Sequence, residues 1–239
     1  MNKTFVTSLI DKRDIAENTL QFVLQRPDGF DFKAGQNVNV KLSQLLFADR
    51  KGGRRTFSIA SAPSEENLYM ATRKTGSGFK RTIAEALGQT IEITGPAGRM
   101  IRDETRPAVL LAGGIGITPF RSMIMDAVNR QLQQPITLMF SNNALAEIAY
   151  HDLFLDLERQ HPDAFRYVQT ITGEKSHDVG WSGERRRIDA FFIRDYVPDL
   201  SAVTFYVSGP PAMVAAISEI LKKENVDQDH ILSESFWGY

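Results

Sequence analysis

The stretch PAVLLAGGIGITP, residues 107–119, decides the fold of the second half of the chain. It begins with an apolar run of strand length and continues into a glycine-rich turn. Pro119 then stands where a helix can begin, because proline fits the first helical turn. Further apolar runs and helical segments alternate along the rest of the chain. The runs are 136–140, 165–171, 203–207 and 231–232, and the helical segments are 119–129, 146–159, 189–196 and 211–224.

Apolar strands that alternate with helices are typical of a parallel sheet covered on both faces. Residues 104–239 are therefore predicted to form a doubly wound α/β domain with a parallel sheet. Residues 102–106, Arg-Asp-Glu-Thr-Arg, form the expected linker before it.

The first half of the chain has a different pattern, in which apolar and polar residues alternate at 20–24 and 38–42. Short apolar runs follow at 56–60, 68–72 and 90–94, separated by turn residues. One helical segment, 79–87, interrupts them and ends at Gly88. Several short strands separated by turn residues favour an antiparallel barrel or sandwich. We therefore predict an N-terminal antiparallel Greek-key β-barrel over residues 1–103.

Composition excludes several classes of function. The 239 residues include no cysteine, so disulfides, thiolate metal sites, cysteine nucleophiles and cysteine-ligated iron–sulfur clusters are excluded. A net charge of −1 argues against a chain-wide nucleic-acid binder. The four histidines have no metal-ligand spacing, so no metal is expected. The N-terminus lacks a signal-peptide pattern and no apolar stretch is long enough to span a membrane, so a cytoplasmic protein without membrane contact is expected.

Two glycine-containing turns mark a candidate ligand site. Ligands of open parallel sheets bind beyond the carboxyl ends of the strands. The sequence places residues 113–119 at one such end and residues 208–211, Ser-Gly-Pro-Pro, at another. Free N–H groups at the start of the following helix favour a diphosphate. The alternative is that both are tight strand–helix turns without a ligand.

The barrel half has a second candidate phosphate site. Residues 76–82, Gly-Ser-Gly-Phe-Lys-Arg-Thr, open its helix with a glycine-rich turn and two cations. Arg55, Phe57 and Ser58 lie on a preceding strand. The alternative reading makes Arg55 a solvated edge charge and Phe57 a core residue.

Four motifs resemble those of the ferredoxin–NADP reductase family of flavoenzymes. In chain order they are Arg-x-Phe-Ser at 55–58, Gly-Ser-Gly-Phe at 76–79, Gly-Gly-Ile-Gly-Ile-Thr-Pro at 113–119 and Ser-Gly-Pro-Pro-x-Met at 208–213. The resemblance implies an FAD-binding barrel and a domain that binds NADH or NADPH as co-substrate. It also implies hydride transfer to flavin and electron delivery to a separate acceptor, such as a ferredoxin, a flavodoxin or an oxygenase component.

The resemblance also implies site residues. The flavin contacts would be Arg55 on the diphosphate, Phe57 along the ring, Ser58 near flavin N5, and Thr56, Thr72, Arg73, Lys74, Gly78, Phe79 and Lys80. The nicotinamide-nucleotide contacts would be Gly113, Gly114, Gly116, Thr118, Ser141, Ser208, Gly209 and Pro210. Phe236 would cover the flavin face where nicotinamide stacks. The implied catalytic residues are Ser58, Ser208 and Glu234.

The chain departs from the family at three places. Ser208 stands where the family often has cysteine, so we expect a slower or differently tuned hydride step. Lys80 stands near a usual serine or threonine, which leaves the geometry of that phosphate contact open. Residues 141–143, Ser-Asn-Asn, lack the arginine of NADPH-preferring relatives, which favours NADH, although Arg185–Arg187 and Lys175 offer compensating charge.

Two other functions remain open at this point. One is a free-flavin or ferric reductase, in which the flavin leaves. The other is a non-catalytic flavin-binding subunit for electron transfer or assembly.

Overall fold

The structure, a computed structural model, describes residues 3–173 and 181–237, so Lys175 lies outside the described residues. The chain forms two compact units. Unit 1 contains Met1–Ile101 and Thr118–Asn129, and unit 2 contains Arg102–Ile117 and Arg130–Tyr239. The chain therefore passes between the units three times along its length.

Unit 1 is a curled antiparallel sheet of six strands, as the alternating pattern predicted. The strand order is β4-β3-β6-β1-β2-β5. Ala60 N, just after β4, donates a 2.7 Å hydrogen bond to Tyr69 O on β5, so the two edge strands approach each other. The elements are β1 (Lys3–Ala16), β2 (Thr19–Leu24), β3 (Asn37–Leu42), β4 (Arg54–Ser58), β5 (Leu68–Arg73), helix α1 (Gly78–Glu85) and β6 (Thr90–Ala97).

Strand β1 was not predicted from the sequence. It is 14 residues long, yet only Thr7 and Leu9 of its side chains are buried. It pairs with β6 through its first half and with β2 through its second half. Because most of its side chains face outward, it lacks the alternation by which a half-buried strand is recognised.

Unit 2 is a parallel sheet with the strand order β11-β10-β7-β8-β9, which confirms the predicted α/β architecture. Every residue of β7 and β10 is buried, as expected for strands covered on both faces. The strands are β7 (Ala108–Gly113), β8 (Ile136–Asn142), β9 (Phe165–Ile171), β10 (Thr204–Gly209) and β11 (Ile231–Ser235). The helices after them are α3 (His151–Gln160), α4 (Ala190–Tyr196) and α5 (Pro211–Lys223).

The predicted helix at 146–159 begins later than expected. Residues 145–147 form a separate short helical turn, and Tyr150 has a left-handed φ of 61°, so α3 begins at His151. A left-handed residue cannot continue a right-handed helix, and the apolar pattern does not reveal this break.

Helix α2 (Ile117–Asn129) follows the glycine-rich turn of unit 2 and packs in unit 1. The guanidinium of Arg121 donates to Ala60 O at 2.7 Å and pairs with the Glu65 carboxylate at 2.8 Å. Ser122 Oγ donates to Ser61 O at 2.6 Å. Residues 60–65 therefore anchor α2 on the curled sheet. No helix in residues 3–173 and 181–237 combines the length and apolarity needed to cross a membrane.

Candidate functional site

The glycine-rich turn lies at the carboxyl edge of the parallel sheet of unit 2. A Cβ on Gly113 would overlap Met213 Sδ, and a Cβ on Gly116 would overlap the backbone of Ser208. These two glycines therefore let the turn pack directly against the end of β10 and the start of α5. Gly114 is different, because it is partly exposed and has a left-handed φ of 51°. It is the glycine of this turn whose backbone is open to a ligand.

Ser208, at the same edge, has a fully buried side chain. Its Oγ has no hydrogen-bond partner within residues 3–173 and 181–237. A buried hydroxyl without a partner costs about 1–3 kcal/mol. Such a group at the carboxyl end of a parallel strand is typical of a binding site.

Strand β11 brings the predicted C-terminal residues beside Ser208. Ser208 pairs in register with Glu234 on one side and Ala112 on the other. Phe236 N donates to Gly209 O at 2.9 Å. Glu234 and Phe236 are half-buried, and Pro210 is exposed. The sheet therefore places Ser208, Gly209, Glu234 and Phe236 together, whereas Trp237 extends into solvent.

The edge also contains a residue that the sequence reasoning did not select. Asn142 ends β8, one residue after the half-exposed Ser141, and is 4% exposed. Both atoms of its carboxamide lack hydrogen-bond partners among the described residues. The available signal was an amide at the end of an otherwise apolar strand. Thr118, in contrast, was predicted and lies buried near the start of α2.

In unit 1, Arg55 and the first turn of α1 converge on a single carboxylate, that of Asp49. Arg55 Nη2 lies 2.6 Å from Asp49 Oδ1, and Phe79 N donates to Asp49 Oδ2 at 2.8 Å. The hydrogen bond from Phe79 N, with those from Lys51 N and Arg55, lowers the pKa of Asp49 to about 2 despite its burial. The predicted donors therefore lie together, and Asp49, which was not predicted, accepts their hydrogen bonds.

Arg55, the cation that pairs with Asp49, has other cations near it. Burial, followed by repulsion from Arg55 and Lys51, lowers the pKa of Lys80. A group of cations such as Arg55, Lys51 and Lys80 suits a phosphate anion. Gly78 lies against the carbonyl oxygens of Phe47 and Ala48, and a Cβ there would overlap Ala48 O.

Strand β4 places the other predicted flavin residues near Arg55. Phe57 is 8% exposed and stacks on Phe79 with ring centroids 5.8 Å apart, as the core-residue alternative expected. Ser58 is 3% exposed, and its Oγ has no partner in the described part of the chain. Thr56 Oγ1 lies 3.0 Å from Asn39 Oδ1.

The predicted residues at the end of β5 have other contacts. Thr72 is buried. Arg73 donates to Thr19 Oγ1 at 2.9 Å, and Lys74 pairs with Asp14 at 2.6 Å. The side chains of Arg73 and Lys74 therefore bind the β1–β2 hairpin.

The arginine run of unit 2 is largely occupied by protein partners. Arg186 pairs with Glu184 at 2.8 Å and with Asp195 at 3.0 Å. Arg185 donates to Trp181 O at 2.6 Å. Two of the three arginines predicted as compensation for a missing phosphate contact are thus engaged with the protein itself.

The fold defines a class of protein, one with a curled antiparallel sheet in one unit and a parallel α/β sheet in the other. Residues 110–219 match the oxidoreductase NAD-binding domain family. A ferredoxin–NADP⁺ reductase from Neisseria gonorrhoeae has the same fold, with a TM-score of 0.81, 21% identity, and coverage of 98% of this chain and 99% of that chain. Residues 110–219 thus match the NAD-binding domain family, and the whole chain has the fold of a ferredoxin–NADP⁺ reductase, as the resemblance implied.

Two curated relatives are similar over almost the whole chain. The reductase component of phenol 2-monooxygenase from a Pseudomonas species is 29% identical over 97% of this chain and 64% of its own length. The CDP-6-deoxy-L-threo-D-glycero-4-hexulose-3-dehydrase reductase of Yersinia pestis is 27% identical over 98% of this chain and 69% of its own length. The chain therefore spans about two thirds of the length of these relatives.

Proposed function

We propose that this chain is an FAD-dependent NAD(P)H oxidoreductase that accepts hydride from a nicotinamide nucleotide and passes electrons to a separate acceptor protein. One observation carries the proposal. Ser58 and Ser208, the two serines that the motifs assign to the flavin and the nicotinamide, have buried hydroxyls without partners in the described residues. A ligand that hydrogen-bonds to these hydroxyls would remove an unfavourable feature of both units.

The residues of unit 1 fit a flavin with a phosphate chain. Arg55, Lys80 and the first turn of α1 would hold the diphosphate, and Phe57 and Ser58 would contact the ring. When bound, FAD supplies the capacity to accept two electrons as hydride and to release them one at a time. Residues 1–103 would form the flavin domain of this proposal.

The residues of unit 2 fit a dinucleotide. Gly114 and Ser141 would contact the nucleotide, and the hydroxyl of Ser208 would orient the nicotinamide. Glu234, beside Ser208 in the sheet, would hold or relay a proton at its carboxylate. Phe236 would exclude water until the nicotinamide displaces it. Residues 104–239, apart from residues 118–129, which belong to unit 1, would form this nucleotide domain.

The acceptor is proposed from the relatives. One is the reductase component of a monooxygenase and another is the reductase of a dehydrase, and both names imply a separate partner. We therefore propose an oxygenase component, a dehydrase, a ferredoxin or a flavodoxin as the acceptor. A cytoplasmic location, where nicotinamide nucleotides are available, is part of this proposal, and cell fractionation would test it.

Anaerobic titration tests the enzymatic proposal. The purified protein, loaded with FAD, is mixed with NADH or NADPH while the flavin absorbance is followed. We expect reduction within seconds by at least one of the two nucleotides. An unchanged spectrum with both would contradict the proposal and favour a non-catalytic flavin-binding subunit.

A free-flavin reductase is the second candidate, and one observation favours it. Asp49 already accepts the hydrogen bonds that a flavin diphosphate would need. Desalting separates the two candidates, because a resident cofactor stays with the protein and a flavin substrate does not.

A further inference from the structure

The Asp49 loop, residues 43–53 between β3 and β4, lies across the first turn of α1. Leu46 N donates to Thr82 Oγ1 at 3.0 Å, and the Arg81 guanidinium lies 3.7 Å from the centre of the Phe47 ring. The carbonyl of Ala48 lies against Gly78. The loop is therefore packed on the helix, and its position is fixed by several contacts besides Asp49.

The Asp49 carboxylate occupies the point where three donors meet. Its side chain is 4% exposed, and that of Arg55 is 19% exposed. Its two oxygens accept from the Arg55 guanidinium, Phe79 N and Lys51 N. A phosphate group recognised by Arg55 and by the start of α1 would need the same donors.

Arg55 is also held by the loop itself. Its Nη1 donates to Lys51 O at 3.2 Å and to Gly52 O at 3.0 Å, and its guanidinium lies over the Phe79 ring at 5.1 Å. The loop therefore supplies both a charged and a neutral set of acceptors for this one arginine. Displacing Asp49 alone would leave Arg55 in place, because three carbonyl oxygens, those of Lys51, Gly52 and Arg54, would still accept from its guanidinium.

We propose that Asp49 is a specificity-determining residue for flavin, because its carboxylate competes with the flavin phosphate for Arg55 and the first turn of α1. This inference rests on the proposed function and concerns the same site. This competition reduces the affinity that the phosphate groups of a flavin contribute to its binding. The chain would therefore discriminate less strongly between FAD, FMN and riboflavin than a site without this carboxylate.

The opposite role for Asp49 would give the opposite result. If Asp49 orients Arg55 for the phosphate rather than competing with it, removing the carboxylate weakens FAD binding. The sign of the change in FAD affinity therefore decides between the two roles.

The test is the variant Asp49→Asn, which keeps the shape of the side chain and removes its charge. Dissociation constants for FAD, FMN and riboflavin are measured by the quenching of flavin fluorescence on the full chain. We expect about tenfold tighter binding of FAD, the size of one charge-assisted hydrogen bond, and an unchanged constant for riboflavin, which has no phosphate. Asp31→Asn is the matched control, because it removes the same charge from a side chain that is 94% exposed.

A second variant controls for the case in which Asp49→Asn does not fold correctly. Asp49→Ser also removes the charge, and its hydroxyl can still accept a hydrogen bond from the start of the helix, as serine does at helix N-termini. We expect the same preference for FAD over riboflavin in this variant. Circular dichroism and the midpoint of urea unfolding establish that each variant is folded.

The outcomes separate this inference from the proposed function. Unchanged or weaker FAD binding in both Asp49 variants overturns the inference. If Arg55→Gln weakens FAD binding in the same series, the flavin site itself stands. If neither the natural chain nor any variant binds flavin, both the inference and the proposed function are overturned.

Discussion

Ser208 and Thr204 lie on the same strand, β10, and both have buried hydroxyls without partners in the described residues. Only Ser208 lies at the carboxyl edge, where the glycine-rich turn and Glu234 are its neighbours. An unsatisfied hydroxyl therefore indicates a ligand only in combination with its place in the sheet.

This pair gives the first prediction. Ser208→Ala lowers the rate of flavin reduction by NADH about tenfold, because one hydrogen bond that orients the nicotinamide is lost. Thr204→Val, the matched control, leaves the rate unchanged. Neither variant is less stable in urea than the natural chain, because each removes a buried hydroxyl that has no partner to lose. Stopped-flow absorbance measures the rates, and equal rates for both variants would contradict a role for Ser208.

The second residue-scale prediction concerns the choice of nucleotide. Asn143 is exposed after β8, and Arg186 is already paired with two carboxylates. Because residues 141–143 include no arginine and Arg186 is engaged in this way, we expect kcat/KM for NADH to exceed that for NADPH about tenfold.

Asn143→Arg should shift this preference toward NADPH, mainly through a lower KM for NADPH. The exposed Gln133, before the amino end of β8, supplies the control Gln133→Arg, which adds the same charge away from the carboxyl edge. Equal effects of both variants would indicate that only net charge matters.

The Asp49 loop gives a prediction about pH. Because hydrogen bonds from Phe79 N and other donors lower the pKa of folded Asp49 from 3.8 to about 2, the charged carboxylate stabilises the fold above its unfolded pKa. This contribution is lost as the pH falls through the folded pKa. The difference in free energy of unfolding between the natural chain and Asp49→Asn should be constant above about pH 5 and shrink between about pH 4 and pH 2.

Urea unfolding of both proteins over this range measures that difference. A difference that stays constant down to about pH 2 would show that the Asp49 charge does not stabilise the loop.

At the scale of elements, the contacts that attach α2 include one largely buried ion pair. The side chains of Arg121 and Glu65 are 6% and 19% exposed, whereas those of Arg130 and Glu104 are 47% and 46% exposed. A buried pair that loses one partner leaves an uncompensated charge, which an exposed pair does not.

Arg121→Ala should therefore lower the free energy of unfolding by about 3 kcal/mol. Arg130→Ala, the matched control, should lower it by less than about 1 kcal/mol. Urea unfolding followed by circular dichroism compares the two. Similar losses in both variants would argue that burial of the Arg121 pair does not matter for stability.

Elements with a clear apolar pattern were predicted well, and those without one were not. The prediction for β9 matches its observed range of 165–171, because apolar residues mark both ends of this strand. Strand β1 was not predicted because most of its side chains face outward, so its sequence lacks the alternation of a half-buried strand. The start of α3 was predicted too early because the left-handed Tyr150 interrupts the helix.

The candidate site shows the same division. The glycine motifs and Arg55 could be selected from the sequence because they occur together, in the same order as the motifs of the ferredoxin–NADP reductase family. Asp49 and Asn142 could not, because their importance arises from contacts, or the lack of them, that form only in the folded chain. An aspartate in a polar loop and an asparagine at a strand end are ordinary residues until their surroundings are known.

At the scale of the whole molecule, α2 belongs to unit 1 although it follows β7 of unit 2 in the chain. A fragment of residues 1–103 would lack Arg121 and Ser122, the partners of Ala60, Ser61 and Glu65. We expect this fragment to unfold at lower urea than a fusion of residues 1–101, a flexible linker and residues 118–129. Equal unfolding midpoints would show that the α2 contacts add nothing to the sheet.

The three passages of the chain between the units also limit how such proteins can be recombined. A chimera made by a single crossover at the apparent linker would take its barrel from one parent and α2 from the other. In the Arg121–Glu65 pair and in the Ser122–Ser61 hydrogen bond, the two residues would then come from different parent proteins. Functional hybrids should therefore need a second exchange that covers residues 118–129, so that each sheet inherits its own helix.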